Sequence, residues 1–146
     1  MSSTYSFLDC KAALVGPGGA ISMGNGAGVA EEGITITPTG EISGMTIGAD
    51  GSGQHNLYAD KSGKVTVRLL KTSPTNALLS AMYALQTSNP AAHGQNTLVI
   101  NDMSRGDVIS CEQVAFAKAP DLSFAKDGAP VDWEFNAIKI TRTLGA

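Results

Sequence analysis

This chain carries little charge. Asp, Glu, Lys and Arg make up 16% of its 146 residues, and the formal balance is -3. A protein that grips nucleic acid displays a clustered basic footprint, and none is visible here, so tight nucleic-acid binding is not expected. Cysteine is confined to Cys10 and Cys111. Two are too few for a secreted disulfide scaffold and wrongly spaced for zinc, so both are expected to be reduced thiols. No apolar run is long enough to span a bilayer as a helix, and the opening MSSTYSFLDCKAALVG lacks a basic segment followed by an apolar core. The expectation is a protein without a membrane partner that matures in the cytoplasm, unprocessed.

What the chain does have is glycine, 17 residues of it, spread between short runs of alternating polarity. That describes a turn-rich β protein. With no obvious linker or repeat, residues 1–146 are expected to form a single domain. A chain of this length removes roughly 68–70% of its unfolded surface from water, enough for a core without staples.

The plainest stretch runs from Lys64 to Gln86. Val65, Val67 and Leu69 alternate with polar residues, the period of a strand with one face buried. The period then changes. Ser73 can cap a helix, Pro74 fits its first position, and Leu78, Leu79, Met82 and Leu85 follow at helical spacing and are expected to pack on the sheet. Ser88, Asn89 and Pro90 end the segment, the one convincing helix of the chain.

Around it, strands are expected at Tyr5 to Val15, with Leu8, Cys10, Ala12 and Leu14 inward, and at Ala20 to Met23 after a Gly16-Pro17-Gly18-Gly19 reversal. Another is expected at Ile34 to Thr37, with a short apolar piece at Met45 to Ile47. Residues 48–63 read as an extended, Gly-rich loop in which Leu57 and Tyr58 still need cover. Such a loop serves either as an arm on a neighbouring copy or as a hairpin folded back on its own sheet. Met45, Ile47, Leu57 and Tyr58 are therefore the candidate subunit interface. A hairpin about Met103 to Gly106 and a final strand from Val131 to Thr143 complete the set. In that strand Val131, Trp133, Phe135 and Ala137 share one face while Ile138 and Ile140 take the other, which implies a bulge or cover on both sides.

Chemistry is hard to place. Gly24, Gly26 and Gly28 lack the spacing of a dinucleotide loop, and no helix follows to meet a phosphate. Asp50, Ser52 and Asp60 do not complete a calcium loop, since Lys61 stands where a bidentate Glu is required. His55 and His93 have no second ligand at helical spacing. No Ser lies in a nucleophile elbow, and Glu112, Glu134, Trp133 and Phe135 are better explained as outward or core strand positions. No catalytic residue, metal or cofactor is assigned, and the chain is read as not an enzyme.

Against this background the sequence resembles a tail tube protein of contractile-tailed bacteriophages over nearly its whole length. The most specific piece is KTSPTNALLS, Lys71 to Ser80, and a second is KAPDLSFAKDGAPVDWEF, Lys118 to Phe135. The opening YSFLDCKAALVGPGG and the run NGAGVAEEGITI also match relatives. The resemblance implies a mainly β fold, a β-barrel or sandwich with one flanking helix, shared with the type VI secretion tube. It further implies a homo-oligomer of stacked hexameric rings in a virion tail, partnered by sheath, baseplate and tail terminator proteins. DNA would pass through its channel without sticking, a lumen to which some of Glu31, Glu32, Glu41, Asp50 and Asp132 are expected to contribute negative charge. A tailocin or type VI-like injection tube would use the same fold. A monomeric β-sandwich module binding a ligand at its Gly-rich loops is the alternative from a different class.

Overall fold

The computed structural model describes residues 4–23 and 29–145, and within them all side chains except those of Phe7 and residues 29–32. Its strands are β1 (Cys10–Gly16), β2 (Gly19–Ser22), β3 (Val29–Pro38), β4 (Ser43–Ile47), β5 (Gly53–Leu57), β6 (Gly63–Leu69), β7 (Asn96–Asp102), β8 (Asp107–Lys118) and β9 (Val131–Thr143), with one helix, α1 (Thr75–Thr87). Seven of them form one sheet in the order β2-β1-β7-β8-β9-β6-β3, while β4 and β5 pair only with each other. Every pairing is antiparallel.

The alternation seen in the sequence is what curls this sheet around a core. Val65, Val67 and Leu69 of β6 lie opposite Phe135, Trp133 and Val131 of β9, and all six are buried. From the other half come Ala12 and Leu14 of β1, Leu98 and Ile100 of β7, and Ile21 of β2, joined in a single cluster. Phe116 sits at its centre, with ring centroids 4.9 Å from Phe135 and 5.9 Å from Trp133. Such tilted and edge-on pairs add to area burial. Burying one valine or leucine contributes roughly 1.5–3 kcal/mol, so β6 alone is a substantial part of the fold's stability.

The polarity switch expected in β9 is present: its odd-numbered residues are buried as far as Ala137; Ile138 and Lys139 are then exposed, and Ile140 is half-buried. The register shifts accompanying it lie on β8, which gains a residue on β7 between the pairs Asn96/Val114 and Leu98/Cys111 and one on β9 beyond Phe116. Gln113 takes the extra position with φ 53, in the left-handed region, which lets Cys111 and Val114 share the buried face although three residues apart. On β9 the consequence is local: Ile140 is partly covered, its N–H donating to the Lys61 carbonyl at 2.9 Å, while Ile138 stays exposed.

The helix follows its signals at both ends, but not in its buried face. Pro74 has helical dihedrals, and the Ser73 hydroxyl accepts the Thr75 N–H at 3.3 Å. Leu79 and Met82 are buried as expected, whereas Leu78 is 55% and Leu85 50% exposed. Gln86 takes the place expected for Leu85, so the inward stripe is Thr75, Leu79, Met82 and Gln86. The reversal between β1 and β2 meets this edge of the helix: a Cβ added at Gly18, at φ +106, would lie 3.2 Å from Leu85 Cδ2 and 3.8 Å from the Met82 backbone, while Gln86 is held inward by hydrogen bonds to the Pro17 carbonyl and Asn96. Leu8 also departs from expectation: it lies in a short 3-10 turn, Phe7–Asp9, ahead of β1 and is exposed.

Candidate assembly surface

The stretch expected as a loop is half of a β ribbon. Between β3 and β6 the chain leaves the main sheet, forms β4, turns at Gly48 to Ser52, and returns as β5. Gly48 N–H donates to the Ser52 carbonyl at 2.7 Å, and Asp50 Oδ1 accepts the Ser52 N–H at 3.0 Å, closing the turn. Both Asp50 and Asp60 have pKa values below the usual carboxylate range, chiefly through hydrogen bonds from Ser52 and Ser62 respectively. They stay ionised at neutral pH. At the base, Thr39 N–H donates to the Ser62 carbonyl at 3.1 Å, and Ser62 Oγ bridges Thr39 Oγ1 and Asp60 Oδ1.

Register then sorts the side chains. Ser43 pairs with Leu57, Met45 with His55 and Ile47 with Gly53, which puts Met45, Ile47, His55 and Leu57 on one face. Thr46, Gln54 and Asn56 take the other, tied by Gln54 Nε2 to Asn56 Oδ1 at 2.8 Å and Asn56 Nδ2 to Thr46 Oγ1 at 3.0 Å. Tyr58 extends the polar side and lies over Gly44, where any Cβ would strike its hydroxyl. The ribbon is thus amphipathic, yet its apolar side is largely uncovered among the described residues: Met45 is 65%, Ile47 55% and Leu57 84% exposed. A lone two-stranded hairpin is marginal in water.

The uncovered surface continues onto the sheet, where Ile42, Leu57, Tyr58 and Ile138 line one groove together with Lys61 and Lys139. All four proposed interface residues therefore belong to one ribbon, although Tyr58 occupies the face opposite the other three.

The five acidic candidates are dispersed. Glu41 lies in the connection to β4, and Asp50 is at the ribbon tip. Asp132 of β9 forms a two-pronged ion pair with Arg68 of β6, at 2.7 and 3.1 Å, so it adds no net charge to its surface. Glu31 and Glu32 are in β3, but their side chains fall outside the described residues.

Sequence reading missed a buried amide pair. Gln86 Nε2 donates to Asn96 Oδ1 at 2.7 Å, Asn96 Nδ2 returns a bond to Gln86 Oε1 at 2.6 Å, and Gln86 Nε2 also reaches the Pro17 carbonyl at 2.9 Å. Both residues are fully buried. They tie α1 to β7 and to the first turn, a structural role; a polar residue on an otherwise apolar helix stripe was the available signal. Among the described residues, no group of three or more His, Cys, Asp and Glu could hold a metal ion. Trp133 is core, with its indole N–H on Asn76 Oδ1 at 3.0 Å.

A chain built this way, with one curled antiparallel sheet, a flanking helix and a projecting ribbon, matches the family model described as bacteriophage PhiTE tail tube protein over residues 1–145. The chain belongs to that family. As a tail tube protein it also has structural neighbours of the same fold. The PVC sheath-tube complex of an extracellular contractile injection system, in its extended state, aligns with TM-score 0.62 at 11% identity, covering 99% of this chain and 94% of that one. The sheath/tube terminator of the PVC system gives 0.57 at 13%, covering 98% and 99%. The tube-terminating cap of the anti-feeding prophage gives 0.57 at 10%, covering 99% and 95%. At those identities the likeness establishes the fold. No curated protein matches this tail tube protein in sequence.

Proposed function

We propose that this protein self-assembles into stacked hexameric rings that form the inner tube of a phage tail, assembled in the host cytoplasm and serving as the conduit for DNA during ejection. The observation that carries the reading is the β4–β5 ribbon, whose apolar face is bare in the subunit and which family membership assigns to a tube component. The role asked of the subunit is structural, not enzymatic, and needs no cofactor. Packing this face against a neighbouring copy removes the exposed Leu57, Met45 and Ile47 from water and supplies the cover a two-stranded ribbon needs. The neighbours come from a sheath-tube complex, a terminator and a baseplate, which supports sheath, terminator and baseplate proteins as partners here. The tube of a related injection system would be built the same way.

For the channel, the acidic balance supports a lining that lets phosphates slide, with Glu31, Glu32 and Glu41 as the contributing carboxylates. Asp132, paired with Arg68, and Asp50, at the ribbon tip, are the weaker candidates of the five. A basic lining would release counterions and hold DNA.

Electron microscopy of the purified protein tests the assembly: rings or tubes are expected. A deletion of residues 43–57 is expected to leave a folded monomer that forms neither. Normal tubes from that deletion would remove the ribbon from assembly. Salt-sensitive, tight DNA binding by the subunit would overturn the channel reading.

A further inference from the structure

The sequence holds two Asp-Gly pairs, Asp50-Gly51 and Asp127-Gly128. In such a pair the main-chain nitrogen of the glycine reaches the side-chain carbonyl carbon of the aspartate with little hindrance, because no Cβ stands in the way and the backbone takes conformations closed to other residues. Attack of that nitrogen on Cγ of the carboxylic acid closes a succinimide ring: a C–N bond forms, a C–O bond breaks, and the hydroxyl leaves with the amide proton as water. Water then reopens the ring. Addition at Cγ restores aspartate, and addition at the main-chain carbonyl routes the chain through the side-chain methylene as isoaspartate. The reaction consumes and returns only water, so local structure decides which pair undergoes it.

Both pairs are exposed, so access to water does not separate them. Hydrogen bonding does. At the ribbon tip the Gly51 N–H, whose nitrogen would attack, donates to the Gly48 carbonyl at 3.0 Å, and Asp50 Oδ1 accepts the Ser52 N–H at 3.0 Å. The Gly48 N–H closes the turn around them with its bond to the Ser52 carbonyl at 2.7 Å. The bonds from Ser52 also hold the Asp50 carboxyl ionised, and a carboxylate is the poorer electrophile because its oxygen leaves only after protonation. Asp127-Gly128 lies in the connection between β8 and β9, without helix or strand, and has none of these ties. Among the described residues Asp127 makes no hydrogen bond or ion pair, and the Gly128 N–H has no acceptor.

We propose that Asp127-Gly128 is a site of spontaneous isoaspartate formation in the folded protein, and that the ribbon turn protects Asp50-Gly51 from the same reaction. The inference does not rest on the assembly reading. Its product adds one methylene to the main chain between Phe124, whose ring lies 4.5 Å beneath Lys71 Nζ, and the first residue of β9, Val131. Aged subunits would thus differ from new ones in the chain that enters the core strand.

Peptide mapping of aged protein tests it. One sample of the full chain is kept at neutral pH in its folded state and another in denaturant; each is then digested, and isoaspartate is read peptide by peptide by electron-transfer mass spectrometry. That readout separates the reaction from any at Asn25-Gly26, which lies outside the described residues. In the folded sample isoaspartate is expected to accumulate at Asp127 while Asp50 stays unchanged, and in denaturant both are expected to convert. Gly128→Ala should lose most of the signal at Asp127 with wild-type melting, since the added Cβ meets Lys71 Cβ at 3.5 Å, an ordinary contact. Absence of isoaspartate at Asp127 in the folded sample, or conversion of Asp50 to the same extent, overturns the proposal. So does an Asp50 that stays unchanged in denaturant, because the turn would then not be what protects it, and so does a Gly128→Ala variant that converts as fast as wild type.

Discussion

β6 and β4 have the same local design and opposite fates. Each alternates apolar and other residues, each pairs antiparallel with its neighbour, and each belongs to the excursion between β3 and the helix. Val65, Val67 and Leu69 of β6 are wholly buried beside Phe135, Trp133 and Val131 of the adjacent strand, whereas Met45 and Ile47 of β4 face water. The comparison separates two things that alternation confounds: an apolar face, which a strand's period creates, and a cover for that face, which only tertiary or quaternary structure supplies. Where the cover is missing within the chain, a second chain is the natural source.

Breaking each side of that comparison should produce effects of different size. Phe135→Ala, on the covered side, is expected to cost ~3–5 kcal/mol in denaturant melts, because the core around Phe116 and Val65 cannot close over the void. Leu79→Ala should cost ~2–5 kcal/mol by the same argument, while its exposed neighbour Leu78→Ala stays within ~0.5 kcal/mol. Equal losses for the two would show that the helix buries the stripe expected from sequence. Gln86→Ala leaves Asn96 and the Pro17 carbonyl short of partners in a buried site, and a loss of ~1–3 kcal/mol in the same melts is expected.

Cys111 sharpens the covered side through pH. Burial pushes its thiol up to about 11, against a partial lowering by Arg142. An unfolded thiol releases its proton near pH 8.5 to 9, so between there and about 11 the folded state binds more protons than the unfolded one, and stability falls as pH rises. Melting curves from pH 8 to 11 should show that decline in wild type and less of it in Cys111→Ala. On the uncovered side, Leu57→Ala should move subunit stability by no more than ~0.5 kcal/mol. A larger loss would mean that Leu57 already has cover within its own subunit.

Much of the fold was legible because its strands are half-buried. The β1–β2 reversal, the β7–β8 hairpin about Met103 to Gly106, the β6 strand and both helix ends follow from period, proline and glycine. Less was legible where geometry between distant segments decides. Leu85 and Gln86 are adjacent, and it is distant partners, the Pro17 carbonyl and Asn96, that hold Gln86 inward. The β8 bulges put Gln113 in the left-handed region without a glycine to announce it. β5 was hidden because Gln54, His55 and Asn56 have low strand preference, and their pairing depends on Thr46 and the ladder to β4. Of the acidic candidates, only partnership could show that Asp132 is neutralised, since Arg68 is distant in sequence and adjacent across the β6–β9 pair.

The two strands of the ribbon rejoin β3 and β6, whose register closes immediately below at Pro38 and Gly63, through the bonded pair Thr39 and Ser62 and through the Lys61 carbonyl, which accepts the Ile140 N–H. With so few ties to the main sheet, the segment between them is expected to behave as a cassette that can be shortened, lengthened or exchanged for another family member's segment. Partner choice in this lineage can therefore evolve separately from foldability. Chimeras cut at Thr39 and Ser62 would transfer assembly specificity from one tube to another as a single inheritable block.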